Sequence, residues 1–306
     1  MTAAPAASSG WPALRVADWQ DTRDTLHLWS QVVGKVKLAR TPLVNHWWNV
    51  TLRLSHRGLT TGVMPGGPAG GFEIEFDFLA HRLDITRTDG ERRQVALAPR
   101  SVADFHAEVA ARLDELDLAT PIWVMPVEIE GAIPFTDDHD HASYDAAAVE
   151  LFWRSLVDVD RVFQRFRARF VGKASPVHFF WGAFDHAATR FSGRPAPPHP
   201  GGAPNCGPHV MQEAYSHEVS SCGFWPGGSD EGTFYSYAYP EPAGFADRGG
   251  LPAGASYSGE LGEFVLPYEA VRAADDPDAV LHAFLQGTYE AAADLAAWDR
   301  AALEHR

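Results

Sequence analysis

An α+β fold in two similar halves is what this sequence predicts, each half running helix, antiparallel strands, helix. Two kinds of hydrophobic period carry the prediction: runs of period two alternate with runs of period three to four, so the chain holds both strands and helices. A recurring pattern adds the second half of it. Gly34-Lys35, Pro42, His46, Trp47, Trp48, Thr61, Gly62 and Pro65 are followed in the same order by Gly172-Lys173, Pro176, His178, Trp181, Thr189, Gly193 and Pro195. A tandem pseudo-repeat would set its sheets packed together or joined about a pseudo-two-fold axis, with a cleft there as the natural pocket. Coincidence is the competing account, because the chain has 10 tryptophans and the identities are few.

The elements follow in order. Leu26, Trp29, Val33 and Val36 form one apolar stripe and predict a helix over 18–40, ended by Pro42. Alternation predicts a strand over 45–54, with His46, Trp48, Val50, Leu52 and Leu54 on one face. A Gly/Pro-rich loop leads to Phe72–Leu79, where Phe72, Ile74, Phe76 and Phe78 oppose Glu73, Glu75 and Asp77. Asp89-Gly90 turns a hairpin between 83–88 and 93–97. Ser101 caps a helix whose stripe is Val102, Phe105, Val109, Leu113 and Leu116, and a strand near 123–129 closes the half. In the second half Ser143 or Asp145 caps a long helix with Val149, Phe152, Leu156, Val159, Phe163, Phe166 and Phe170 at three-four spacing. Strands follow at 173–195, 215–223, 233–239 and 263–267. Asp276-Pro277 opens the last helix. Residues 1–10 read as a disordered tail, 11–135 as the first repeat and 136–306 as the second; one integrated domain is the alternative.

Composition narrows the function. Forty acids against 25 bases give a net charge of −15, which repels phosphate backbones and anionic lipid, so neither nucleic acid nor membrane is an expected partner. No apolar run approaches the ~18 residues of a membrane span. The N-terminus lacks the basic and apolar regions of a secretory signal, and a cytoplasmic setting would keep Cys206 and Cys222 reduced. There is no GxGxxG after a strand, P-loop, GxSxG, HExxH or CxxC, so no cofactor is expected.

Several side chains have the chemistry of a site. His46 and His178, equivalent in the repeat, are candidate acid/base groups, although His46 shares its strand face with apolar neighbours as a structural histidine would. Glu73, Glu75 and Asp77 lie about 6–7 Å apart along one strand face, close enough to raise one another's pKa if desolvated and otherwise an ordinary solvated face. In 136–141, His139 and His141 face the same way and suit a metal only with further ligands, for which Asp185, His186, His217 or Glu218 are available; a polar linker is the alternative. His141, with Tyr144 beside it, is the favoured single residue there. His217 with Glu218 and a row of tyrosines, Tyr215, Tyr235 and Tyr237, makes a second polar cluster. Arg190 is a candidate anion grip, and Trp47, Trp48 and Trp181 are candidate walls.

Eight motifs carry a resemblance: NHWW at 45–48, GLTT at 58–61, FEIEFDF at 72–78, HASYD at 141–145, PVH at 176–178, TRFSG at 189–193, YSHEV at 215–219 and FYSY at 234–237. Together they resemble the bacterial DUF5996 family over roughly residues 11 to 298. The resemblance implies no catalytic residues, the family being a domain of unknown function; it also brings in aziridine-ring formation in natural-product biosynthesis as a minor possibility, with no residue assigned to it. The expectation is a metal-independent enzyme acting on a small molecule in an aromatic-lined cleft, with His46, His178, His217, Glu218, Glu73, Asp77 and His141 as candidate catalytic groups. The alternatives are a ligand- or protein-binding accessory protein and a metalloprotein using His139 and His141.

Overall fold

The structure, a computed structural model, describes residues 10–305. Residues 1–9 of the expected tail lie outside the described residues. Helix α1 (Val16–Arg40) runs through the centre of the molecule and is buried on more than its apolar stripe, with Gln31, Lys35 and Lys37 also enclosed. Its one interior glycine has a packing reason: a Cβ on Gly34 would stand 2.3 Å from the Trp181 ring.

Short strands β1 (Arg53–Leu54), β2 (Gly58–Thr60) and β3 (Met64–Pro65) lead to β4 (Gly71–Asp77), β5 (Arg82–Arg87) and β6 (Arg92–Ala96). They form an antiparallel sheet ordered β1-β2-β4-β5-β6, with β3 also on β4. The alternation in β4 is used as the sequence implied: Phe72, Ile74 and Phe76 are wholly buried, and Phe76 and Trp29 both stack on Phe105 of α2 (Val102–Asp114). Ser101 caps α2 by accepting from the Asp104 amide at 3.0 Å.

Asp145 caps α3 (Ala146–Ala168), accepting from the amides of Ala147 and Ala148. Strands β7 (His178–Phe180) and β8 (Asp185–Pro195), helix α4 (Pro208–Ala214), strands β9 (His217–Trp225), β10 (Thr233–Tyr239), β11 (Ser256–Ser258) and β12 (Glu263–Pro267), and helices α5 (Tyr268–Arg272), α6 (Pro277–Leu295) and α7 (Arg300–Leu303) complete the chain. The second sheet is antiparallel in the order β11-β12-β10-β9-β8-β7. The sheets meet edge to edge where Leu52 and Phe179 exchange two backbone hydrogen bonds of 2.9 Å.

The two faces of the second sheet differ in kind. Register places Ala188, Arg190, Cys222, Phe224 and Phe234 on one face, against α3 and α6. Asp185, Ala187, Thr189, Ser221, Tyr235, Tyr237 and Glu263 share the other, which looks into a cavity. The molecule is thus a mixed helix and antiparallel-sheet protein, and no described helix is long and apolar enough to cross a membrane.

Of the strand expected over 45–54 only the end forms, as Leu52 and β1, and the one expected near 123–129 is absent. Residues Asn45–Trp47 form a 3-10 turn in which His46 and Trp47 have positive φ, 57° and 61°. The reason is long-range: Glu213 accepts from the His46 amide at 2.9 Å, and the Trp47 indole donates to Val210 O at 2.9 Å, so α4 pulls the turn out of extended geometry. Residues 123–129 are irregular, held instead by α1. Tyr215, expected in a strand, ends α4.

Candidate functional site

A half-open cavity of about 670 Å³ lies between the inward face of the second sheet, the 45–48 turn, α4, the 127–128 segment and the flank of α1. A larger hollow of about 1050 Å³ opens beside the start of α6, but its charges satisfy one another, Arg161 and Arg165 both binding Asp278. The 670 Å³ cavity is mostly apolar with a few convergent ionisable groups, the usual make-up of a small-molecule site.

Three carboxyls enter it from three elements. Asp185 begins β8, is buried, and accepts a short hydrogen bond from the Tyr235 hydroxyl. Tyr235 reaches it by lying across Gly223, where a Cβ would stand 2.2 Å from the phenolic oxygen. Glu128 comes from the irregular segment. Gln31 of α1 clamps Val127 from both sides, donating to its carbonyl and accepting from its amide, each at 2.9 Å. Glu128 has φ of 61°, and its carboxyl lies against residue 182, where a Cβ would stand 2.2 Å from Oε1. As a residue Glu128 is exposed, but its carboxyl end is packed about by protein where it lines the cavity, so it is open to a ligand. Glu263 arrives from the start of β12.

Burial tunes all three, and the Asp185 charge adds to it for the two glutamates. Burial lifts the Glu128 pKa to about 7, and the Asp185 charge adds to the effect. Glu263 is raised to about 7 for the same two reasons. Burial raises Asp185 to about 6, opposed by the hydrogen bond from Tyr235. Beside them runs a row of hydroxyls across the strands: Thr189 and Ser221 lie 2.8 Å apart, Ser221 is directly opposite Tyr237 in the register, and the Tyr237 and Tyr215 hydroxyls are 2.8 Å apart. Chemically, the cavity offers groups able to give or take a proton near neutral pH, next to a chain of hydroxyls that can hold polar substituents.

A family of unknown function, DUF5996, matches residues 11–305. The chain belongs to DUF5996. No curated protein matches the chain, and neither does any solved structure.

In this DUF5996 protein the cavity gathers His46, Trp47, Trp48, Trp181, Tyr215, Tyr235 and Tyr237 from the sequence-predicted residues. His46 has both nitrogens engaged. Its Nδ1 must donate, since it faces the carbonyls of Ala214 and Glu213 at 3.0 and 3.1 Å, and its Nε2 accepts from Lys173 at 2.6 Å. Burial and then the Lys173 charge hold it neutral. It is an anchored wall rather than a free base.

The other predicted residues lie elsewhere. His178 is fully buried, bonded to Thr51 at 3.1 Å and outside the cavity, and burial pushes its pKa well down. His217 contacts Ser216 and packs its ring edge-on to His46. Glu218 faces away, paired with Arg194 at 2.6 Å. Arg190 is no anion grip in the cavity. It sits on the helix-packed face, 2% exposed, with its guanidinium 3.5 Å from the Phe166 ring and 4.2 Å from that of Tyr289. Tyr144 is buried beside Trp29 and hydrogen-bonds His81.

Glu73 and Asp77 belong to the outer face of the first sheet, with Thr60 and Arg57 respectively as partners. His141 turns its Nδ1 to Asp138 at 2.8 Å. Among the described residues no three His, Cys, Asp or Glu side chains converge as a metal site, so His139 and His141 find no third ligand.

Sequence reasoning named Asp185 only as a spare ligand or polar neighbour and passed over Glu128 and Glu263. The available signal was parity in 185–191: Asp185, Ala187 and Thr189 alternate with His186, Ala188 and Arg190, so the acid and the arginine had to face opposite ways.

Proposed function

We propose that this protein is an enzyme that moves protons on a small molecule held in the aromatic-lined cavity, using its own carboxyls and without a metal. Asp185 is the acid/base group, oriented by Tyr235; Glu128 and Glu263 are the further carboxyls, and Trp47, Trp48 and Trp181 form the walls. The observation that carries the reading is the convergence of three carboxyls, with pKa values raised to about 6 and 7, in one mostly apolar cavity. Acid/base catalysis is most effective when the group titrates near the working pH, and structural carboxyls seldom meet without cations.

We read the architecture as a tandem repeat as well. Each half is a meander of antiparallel strands flanked by helices, and the first strand regions of the two halves meet at Leu52 and Phe179. Equivalent edges meeting in antiparallel fashion support a pseudo-two-fold relation. On this reading the two halves have diverged in use, since the cavity is built on the second sheet and is roofed by elements of the first half.

The test is turnover. Purified protein is incubated with a small-metabolite extract, and compound loss and product gain are followed by mass spectrometry. Wild type is expected to convert a compound, and Asp185→Asn to slow that conversion by about 10²–10⁴-fold with melting temperature little changed. A compound bound stoichiometrically and released unaltered would replace this reading with the accessory binding one.

A further inference from the structure

We propose that the molecule taken by this cavity is a small organic cation, a protonated amine or quaternary ammonium, held by Glu128 and Glu263 against the aromatic walls. The inference rests on the acid/base reading for the choice of cavity, but a different observation carries it: the charge balance of the lining. Four carboxyls line the space; Asp24 is paired with Arg23, and among the described residues Glu128, Asp185 and Glu263 make no ion pair. The one arginine of the lining, Arg23, is already paired with Asp24 at 2.8 Å and donates to Pro226 O. His27 donates from Nε2 to Gly182 O at 2.8 Å, and burial holds it neutral, with a pKa of about 4. His46 is neutral by its hydrogen bonds. Lys35, which comes near Cys206, is directed to Met125 O at 2.6 Å, and Lys173 to His46. The lining therefore has unmatched negative charge that a bound cation would neutralise.

The walls agree independently. The indole N–H groups of Trp47 and Trp181 are tied to the carbonyls of Val210 and Val50, so these rings offer the cavity carbon rather than donors. The Tyr235 hydroxyl is committed to Asp185, and the Tyr215 and Tyr237 hydroxyls bond each other. Ring carbon attracts a cation through its quadrupole, whereas an anion would need donors, and those of Trp47, Trp181 and Tyr235 are already engaged. Asp185 with Tyr235 is left for proton transfer, and Glu128 with Glu263 for charge recognition.

The experiment measures binding of three probes of one size, benzylamine, benzyl alcohol and benzoate, by calorimetry and ligand-observed NMR at pH 8.5. All three carboxyls are ionised at that pH whether or not they serve in catalysis, so the result does not depend on turnover. Benzylamine is expected to bind at least about tenfold more tightly than benzyl alcohol, with benzoate weakest. The Glu128→Gln/Glu263→Gln protein should lose that preference while keeping its circular dichroism spectrum; if the double variant does not fold, each single variant should show the loss in part. Benzyl alcohol or benzoate binding as tightly as benzylamine, failure of benzylamine to bind, or a preference surviving both substitutions would overturn the proposal. Conversion of a neutral compound, lost in Asp185→Asn, would keep the acid/base reading and remove this one.

Discussion

Two carboxyl trios occur in this molecule, one along a strand of the first sheet and one around the cavity of the second, and their fates are opposite. Glu73, Glu75 and Asp77 lie along one strand, evenly spaced and plain in the sequence. Each has a dedicated partner: Thr60 donates to Glu73, Ser55 to Glu75 at 2.6 Å, and Arg57 to Asp77 at 2.6 Å. Burial works against the Asp77 charge, but the Arg57 hydrogen bond and two backbone amides outweigh it and hold the pKa below the usual aspartate range. Glu128, Asp185 and Glu263 come from three separate elements, have no cation, and titrate near neutrality. Proximity of acids does not make a site. What distinguishes one is that the fold brings acids together and withholds the partners that would quiet them.

The largest effect that would sharpen this contrast falls on the satisfied trio. Asp77 accepts from the Leu79 and Ala80 amides at 3.1 and 2.8 Å as well as from Arg57. Asp77→Ala strands those donors and is expected to cost about 2 kcal/mol. Urea unfolding at pH 7 should show the loss as a lower midpoint with an unchanged slope, and probe binding in the cavity should not change. Because the native pKa is depressed, the stabilisation is present above the unfolded value of about 4 and fades as pH falls through the native one, so the deficit should narrow in acid. A variant as stable as wild type, or one that lost cavity binding, would dissolve the distinction between a structural trio and a functional one.

Much of the fold is legible locally. The three-four spacing of Val149 to Phe166 states a helix, Asp145 states its start, and the alternation of Phe72 to Asp77 states both the strand and its buried face. These features depend on neighbours within a few residues. The 45–48 turn depends on Glu213 and Val210, more than 160 positions away, and the alternation of 45–54 misleads because α4 overrides it. The site is legible only in its walls. Tryptophans and tyrosines announce themselves by type, whereas Glu128 is placed at the pocket through Gln31 and Pro204, which lie far from it in the chain. Glu263 is one alternating residue in a five-residue strand, indistinguishable from a surface glutamate until the sheet is assembled.

A smaller effect probes the unsatisfied trio through its pH dependence. Glu263 titrates near 4.5 when unfolded and at about 7 in the folded chain, so between these values the native state binds more proton and stability falls as pH rises. Glu263→Gln removes that slope. It should leave stability unchanged below pH 4.5 and raise it by about 1 kcal/mol above pH 7, a figure reduced for solvent screening in the open cavity. The difference between variant and wild-type urea midpoints across pH isolates this group, although its midpoint is shared with Asp185 and Glu128 because the three interact. A flat difference curve would mean that Glu263 has an ordinary environment, and the contrast between the trios would fail at that residue.

The smallest effect is the same substitution on the other sheet. Glu75→Gln is again a loss of one negative charge with shape kept, and the amide oxygen can still accept from the Ser55 hydroxyl that binds Glu75 now. No cation is bonded to Glu75, and its strand face is partly open, so the change should stay within about 0.5 kcal/mol. At pH 7 its urea midpoint should match that of wild type where that of Glu263→Gln is raised. One chemical change then gives two answers: near silence where a hydroxyl already meets the carboxylate, and a gain where the protein meets the carboxylate with nothing. If Glu75→Gln produced a gain of the same size, the effect would follow from the chain's excess of acids as a whole. The cavity would then lose its claim to have tuned its own three.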